Sequence, residues 1–390
     1  MSNMKNKDNK DKRAEIRRRW TNARRLVIKV GSNTLTGGGG KLDQDYIHAL
    51  AGFICGLRRR GSDVLLVTSG AVRVGQELMG MEDKPSTIPD KQAAAAVGQS
   101  ELMNIYAQAF GRYGQTVAQI LLTRGDMADR RRYLNARNAL TSLFAAGVLP
   151  IANENDTVAV EEIRFGDNDT LAALLAGLCQ ADLLLNLSDV DGMHTADPRH
   201  DSKARRIEVV ERLTPEIERA ATGAGSTAGT GGMTTKLAAA RICMNSGIVM
   251  VIAAGRELDR LASFAKEESF PGTVFLPRRS TLTGRKRWLA FSRYPKGKLE
   301  INDGAVKALT IGGGSLLPVG MVGVNGEFAA GDLVGIIDAQ GREVARGLSN
   351  YSSSEARVIA GRHGDEIEKL LGHASYDEIV HRDNMVITGG

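Results

Sequence analysis

Four short stretches hold residue types at spacings that could handle phosphate. In Lys29-Val30-Gly31-Ser32-Asn33-Thr34, a lysine interrupts the apolar run Leu26 to Val30. Burying an ammonium is costly unless it is paired or meets an anion. A lysine on an edge strand is the plainer alternative. Gly31-Ser32 directly after it favours phosphate contact, because backbone N–H groups can converge there. Thr68-Ser69-Gly70-Ala71-Val72 ends a second apolar run and opens a helical pattern. A helix N-terminus offers donors and partial positive charge; taken alone, a tight strand-to-helix turn is the better account of that glycine. Ser188-Asp189-Val190-Asp191-Gly192 follows a third run. The nearby Asp197-Pro198 reads as a turn, while Ser188 and Asp189 could also hold a nucleotide. Gly229-Thr230-Gly231-Gly232-Met233-Thr234-Thr235-Lys236 closes a segment, 223–232, that contains five Gly. Its composition is that of a linker. A Gly-rich phosphate loop opening a helix with a lysine at the junction fits its place inside a domain better.

A fifth cluster is acidic. Asn153-Glu154-Asn155-Asp156 and Gly166-Asp167-Asn168-Asp169 stand just after one expected strand and just before one expected helix. Asp167 or Asn168 can serve as a helix cap. One cap does not account for the whole cluster. A site for a cationic group such as an α-ammonium does, and so does a site that organises lysines.

Other chemistry has no anchor. There is no GxxxxGK[ST] and no GxGxxG after a strand. The six His (His48, His194, His200, His363, His373, His381) are not at metal spacing, and no Ser/His/Asp or Cys/His arrangement is visible. An acceptor carboxylate is already ionised at neutral pH and needs no general base. Phosphoryl transfer to it needs positioning and charge neutralisation, which two lysines and Mg²⁺ can supply.

The elements that must position these groups are legible from periodicity. Strands are expected at 26–30, 64–68, 117–122, 148–152, 183–187 and 248–253. Helices are expected at 43–60 (with Asp43 as N-cap), 90–112, 130–146, 169–179 and 234–246, and a loop at 31–40. Such alternation implies α/β architecture: a three-layer αβα sandwich around a mostly parallel sheet, with ligands at the carboxyl ends of its strands. Beyond residue 300 the pattern changes to short β-rich segments between Gly turns, at 316–324, 333–337 and 344–348.

Length and composition frame this reading. The chain has 390 residues, 42% hydrophobic and 25% charged, enough for two or three domains at about 150 residues each. Collagen-like, disulfide-scaffold and wholly disordered chains are excluded. Residues 1–25 carry +7 of the net +6 charge, leaving −1 for the remainder. The basic character is therefore that of a tail, expected to be disordered, rather than of a nucleic-acid-binding body. Cys55, Cys179 and Cys243 lie far apart, which fits a reducing compartment. No apolar segment follows the basic opening stretch, and the longest uncharged run, Ala308 to Gly326, contains six Gly and one Pro. Neither a secretory signal nor a membrane span is expected, and the expected location is cytoplasmic.

Together, VIKVGSNTL, LLVTSGAV, PIANENDTVAVEEIRFGDND, LNLSDVDGMHTADPR and GTGGMTTK, in that order, resemble the amino acid kinase family, and within it the branch that phosphorylates glutamate. The stretch 297–380 is similar to a PUA domain. The resemblance implies a kinase domain at 26–277 and the PUA-like domain at 297–380; the charge pattern adds a basic tail at 1–25 and a basic linker at 278–296. It implies ATP and Mg²⁺ as cofactors and L-glutamate as substrate, converted to L-glutamyl 5-phosphate in the first step of proline synthesis.

By resemblance, Lys29 contacts the transferring phosphoryl group with Gly31 beside it. Ser69, Asp156 and Asn168 bind glutamate, and Asp169 holds the two lysines. Ser188, Asp189, Thr230, Gly231, Gly232, Met233, Thr234 and Thr235 bind nucleotide. Lys236 neutralises the leaving phosphate, and no protein ligand for the metal is implied. Proline as feedback inhibitor, hand-over to glutamyl-phosphate reductase, and homodimers or homotetramers are further implications. The chain departs from the family pattern in its basic tail and at Arg73 and Val74, where smaller residues are expected. RNA is not an expected partner: 278–300 is +7, but 301–390 is −5, and nucleic-acid affinity needs several phosphate contacts.

Overall fold

The computed structural model describes residues 2–37, 41–159, 168–221, 232–264, 270–277, 295–372 and 376–388. Most of the expected 278–296 linker, the 222–231 part of the Gly-rich run, Gly166 and Asp167 lie outside them. The chain divides into two compact units, 1–281 and 282–390.

The first unit is built on strands β1 (Arg25–Val30), β2 (Asp63–Val67), β3 (Val117–Leu122), β4 (Leu149–Glu154), β5 (Leu183–Ser188), β6 (Val209–Val210), β7 (Val249–Ala254) and β8 (Thr273–Phe275). They form one sheet in the order β3-β4-β2-β1-β5-β7-β8-β6. All neighbours are parallel except β7 and β8. The central strands are apolar runs because helices cover both faces, so neither face alternates with polar residues. In β4 and β5 every residue is buried. The expected strands are all present. Strands β6 and β8, of two and three residues, are too short to leave a periodic signal.

The helices are α1 (Ser2–Thr21), α2 (Ser32–Thr36), α3 (Gln44–Arg59), α4 (Ala71–Leu78), α5 (Ile88–Gly111), α6 (Arg124–Ala128), α7 (Arg130–Ala145), α8 (Asn168–Leu178), α9 (Pro215–Ala221), α10 (Met233–Asn245) and α11 (Leu258–Ala262). The Asp43 carboxylate caps α3 by accepting from the Tyr46 N–H at 3.0 Å. The stretch 31–40, expected as a loop, instead begins with α2. Its C-cap is Gly37, at φ +57°, and Leu35 N donates to Gly31 O. Helices α4 and α5 meet backbone to backbone. A Cβ at Gly75 would lie 1.7 Å from Ala94 O, and one at Gly98 would lie 1.8 Å from Ala71 O.

The N-terminal residues correct an expectation. Composition suggests a disordered tail at 1–25, but α1 is helical and Ile16 and Trp20 join the core. Trp20 stacks on Phe264 at 4.1 Å, and Phe264 on Phe270 at 5.1 Å. Lys12 pairs with Glu211, and Arg13 with Glu208. Charge dominates the composition, yet two large apolar residues four apart put one anchoring stripe on the helix.

The second unit holds β9 (Gly297–Ile301), β10 (Met321–Gly326), β11 (Leu333–Ile337), β12 (Glu343–Leu348) and β13 (Met385–Ile387), in the order β10-β9-β11-β12-β13. Helices α12 (Asp303–Thr310), α13 (Ser353–Ile359) and α14 (Gly364–Leu371) accompany the sheet. The expected strand at 316–324 starts only at Met321. Pro318–Gly320 forms a 3₁₀ turn before it, since proline lacks the N–H a ladder needs.

Replacing Trp20 by Ala is expected to destabilise the first unit by about 3 kcal/mol, the usual order for an aromatic lost from a core. Urea unfolding of Trp20→Ala against wild type measures it; an unchanged midpoint would mean that α1 is not anchored.

Candidate active site

The topology brings four strand ends together. Strands β4, β2, β1 and β5 are parallel neighbours. Residues within or just beyond their carboxyl ends line one cavity of about 420 Å³. From β1 comes Lys29, and from the N-cap and start of α2 come Gly31 to Thr34. Ser69 and Gly70 follow β2, and Asn153, Glu154 and Asp156 come from β4 and its turn. Ser188 and Asp189 come from β5. Asn168 and Lys236, from the first turns of α8 and α10, complete that side. Gly70 sits at φ +104°, a conformation that suits glycine, so the tight turn accounts for it.

At the floor lies Asp169, fully buried. Its Oδ1 is 2.6 Å from Lys29 Nζ and accepts from Asn186 Nδ2 at 2.9 Å. Its Oδ2 accepts from Thr235 Oγ1 at 2.8 Å and lies 3.3 Å from Lys236 Nζ. Both lysines are buried as well. Burial alone would raise the Asp169 pKa. The charge of Lys29, then that of Lys236, overcomes this, and hydrogen bonds from Lys29 and Asn186 add to it. The outcome is about 2. Two lysines from different strands and helices are thus held by one carboxylate with their charges turned to the cavity.

Asn168, beside it, donates through Nδ2 to Thr68 O at 2.7 Å, Ser69 Oγ at 2.9 Å and Asn153 Oδ1 at 2.9 Å. Its Oδ1 is buried with no hydrogen-bond partner among the described residues. Asn153 Nδ2 in turn donates to Gln99 Oε1 at 2.9 Å. Elsewhere on the rim, the Asp189 carboxylate accepts from Asn33 Nδ2 and Ser188 Oγ, each at 3.0 Å. Half-burial works against its ionisation, but these two hydrogen bonds leave its pKa below the ordinary value.

Of the residues singled out from sequence, the structure gathers Lys29, Gly31, Ser69, Asp156, Asn168, Ser188, Asp189 and Lys236 around the cavity. Asp169 and Thr235 stand behind its wall. Gly232 caps α10, with Met233 and Thr234 in its first turn. Thr230 and Gly231 lie outside the described residues. Sequence reasoning missed Asn186, although one amide inside Leu183-Leu184-Leu185-Asn186-Leu187 is a signal: a polar group buried in a strand needs a partner. It also missed the cavity positions of Lys84 and Lys91, while Glu154, part of the acidic cluster read from sequence, does line the cavity. Lys84 and Lys91 lie in a stretch that has no motif of its own.

Two domain families match the chain: the amino acid kinase family over residues 24–254 and the PUA domain over 297–371. The glutamate 5-kinase of Moorella thermoacetica is 49% identical over 375 residues, covering 96% of this chain and 99% of that protein. That of Thermoanaerobacter sp. strain X514 is 49% identical over 363 residues, covering 93% and 97%. That of Cupriavidus taiwanensis is 49% identical over 365 residues, covering 94% and 98%. With its parallel sheet, its paired lysines and this extent of likeness, the chain belongs to the amino acid kinase family, among the glutamate 5-kinases, and carries a PUA domain.

Proposed function

We infer that this protein transfers the γ-phosphoryl group of ATP to the γ-carboxylate of L-glutamate, giving L-glutamyl 5-phosphate and ADP. This is the first step of proline biosynthesis. The observation that carries the chemistry is the buried Asp169 with Lys29 and Lys236 on its two oxygens. The choice of glutamate rests on the relatives, which are named for it, and on the acidic turn at Glu154 and Asp156.

The acceptor carboxylate is ionised at neutral pH, so its oxygen attacks phosphorus without a general base. The new P–O bond forms as the bond to ADP breaks, and negative charge builds on the phosphoryl oxygens and the leaving phosphate. Lys29 meets the transferring group, and Lys236 the leaving one. Because Asp169 fixes both before substrate arrives, no reorganisation is needed during the step. Ser69, Asn168 and Asp156 orient glutamate. The unpartnered Asn168 Oδ1 and the Asp156 carboxylate suit an ammonium. Gly31, Ser188, Asp189 and the turn opening α10 hold the nucleotide.

Mg²⁺ prefers phosphate oxygens and water, with one or two carboxylates at most. In this reading the ion enters with ATP. It neutralises phosphate charge when bound. Among the described residues no helix is long and apolar enough to cross a membrane, and a cytoplasmic location accords with the pathway. Feedback inhibition by proline, hand-over of the labile acyl phosphate to glutamyl-phosphate reductase, and dimeric or tetrameric assembly belong to the same reading.

Hydroxylamine trapping tests it. With MgATP, hydroxamate is expected from L-glutamate and not from N-acetylglutamate or L-aspartate; hydroxamate from another acid alone would replace the substrate. Lys29→Ala and Lys236→Ala are each expected to lower kcat by a hundredfold or more, about the order for one charge-stabilising group. Near-wild-type turnover in either variant would remove its assigned role.

Asp169→Asn leaves two buried ammonium groups without their counter-charge, a loss of about 3–5 kcal/mol. The Asp169 pKa is about 2 in the fold and ordinarily 3.8. A depressed pKa stabilises above the unfolded value, and that contribution is lost as pH falls through the folded one. The stability gap between Asp169→Asn and wild type is therefore expected to be flat from pH 8 to about pH 5 and to shrink below about pH 4. Urea unfolding across pH reads it, and a gap that closes near neutral pH would refute the assignment.

A further inference from the structure

Helix α2 carries the cavity residues that follow β1, yet it has little of its own to hold it there. It is five residues long, and its N-cap, Gly31, supplies no side-chain cap. So short a helix depends on ties to its surroundings. The hydrogen bonds that tie its start to the sheet run toward β5 and β7. Gly31 N donates to Leu187 O at 3.3 Å, and Asn33 Nδ2 donates to Asp189 Oδ2 at 3.0 Å.

The remaining tie is Arg256, in the turn between β7 and α11. One guanidinium nitrogen donates to Thr34 O at 3.1 Å, and another pairs with Asp43 Oδ2 at 2.8 Å. The guanidinium carbon stands 5.0 Å from the centre of the Tyr46 ring, and a Cβ on Gly37 would run into the same group. Tyr46 Oη donates to Gly255 O at 2.9 Å, and Gly255 N donates to Ser188 O at 2.8 Å. Asp43 divides its work: Oδ1 caps α3 and Oδ2 holds Arg256. The Tyr46 N–H first, and Arg256 next, keep its carboxyl below the ordinary value, so the pair is charged at neutral pH.

This pair sits at the surface, where an ion pair adds little to overall stability; Arg256 is exposed. What it fixes is geometry. Thr34, whose carbonyl it holds, lines the cavity. The Thr34 hydroxyl is buried with no hydrogen-bond partner among the described residues, a costly state unless a ligand supplies one. We propose that Arg256 is a positioning residue for the phosphate donor, fixing the start of α2 over β5 so that Gly31, Asn33 and Thr34 keep the spacing its phosphates require. Arg256 stands outside the cavity lining and acts through Thr34 and the Asn33–Asp189 bond. The inference rests on the reading that places the nucleotide at Gly31, Ser188 and Asp189.

Steady-state kinetics test it, with MgATP and L-glutamate varied in turn. Arg256→Gln is expected to raise the KM for MgATP about tenfold, as for a lost hydrogen bond to a charged group, while the KM for glutamate moves far less and the urea midpoint stays near wild type. Lysine keeps the charge but not the planar fork or the ring stacking, so Arg256→Lys is expected to restore part of the affinity. Asparagine retains the N-cap and removes the charge. Asp43→Asn is therefore expected to shift the same constant in the same direction, and it carries the test should the Arg256 variants fail to fold. Combined with Asn33→Ala, Arg256→Gln is expected to show less than additive loss, because both act through one bond to Asp189.

Parallel rises in both KM values, or a lowered urea midpoint with the KM for MgATP unchanged, would overturn the proposal in favour of a structural clasp. Additive losses with Asn33→Ala would overturn the route through α2, and an unchanged KM for MgATP in every variant would sink it outright. Absence of glutamate turnover in wild type would overturn the underlying reading instead, and it is seen before any variant is compared.

Discussion

A single buried carboxylate sets the terms for the catalytic unit. Asp169 has no solvent exposure and four donors on its two oxygens. Ionised and alone it would be prohibitive to bury. With Lys29 and Lys236 it becomes part of a cluster in which one negative charge steadies two positive ones. The surplus positive charge faces the cavity; in the proposed reaction a phosphoryl group and a leaving phosphate bring negative charge to it.

The remaining architecture follows from the need to bring those three groups to one point. Lys29 arrives on the central strand β1, Asp169 at the start of α8, and Lys236 in the first turn of α10. Asn186, from the neighbouring β5, reaches the same carboxylate. Parallel strands end on one side of a sheet, so every strand-to-helix turn there can contribute. Helix N-termini at the same edge add partial positive charge where anions collect. The backbone contact of α4 with α5 through Gly75 and Gly98 matters for the same reason. It holds together the two helices from which Arg73 and Lys91 reach the lining of the cavity.

How much could be read beforehand varied with the kind of signal. The buried strands were legible because parallel sheets demand uninterrupted apolar runs, as in Leu183 to Leu187. Asp43 was legible as a cap because its chemistry is local. The N-terminal helix was not: ten basic residues in 25 mask two apolar ones, and Trp20 gains meaning only when Phe264 lies against it. Strands β6 and β8 owe their existence to pairing rather than to their own residues.

The linear order of residues determined which chemistry is available. Lysines next to glycine turns, acids after one strand and before a helix, and an absence of paired histidines already imply phosphate handling at a carboxylate. Local signals suffice there because residue type and nearest neighbours define reactivity. Only the tertiary structure decided who meets whom. Lys29 and Lys236 are 207 positions apart in the chain, and nothing local says they share Asp169. Nor does the sequence say that Arg73 and Lys91, on separate helices, line the same space as Asp156. Those pairings are set by strand order and helix packing, which depend on contacts distributed over the whole unit.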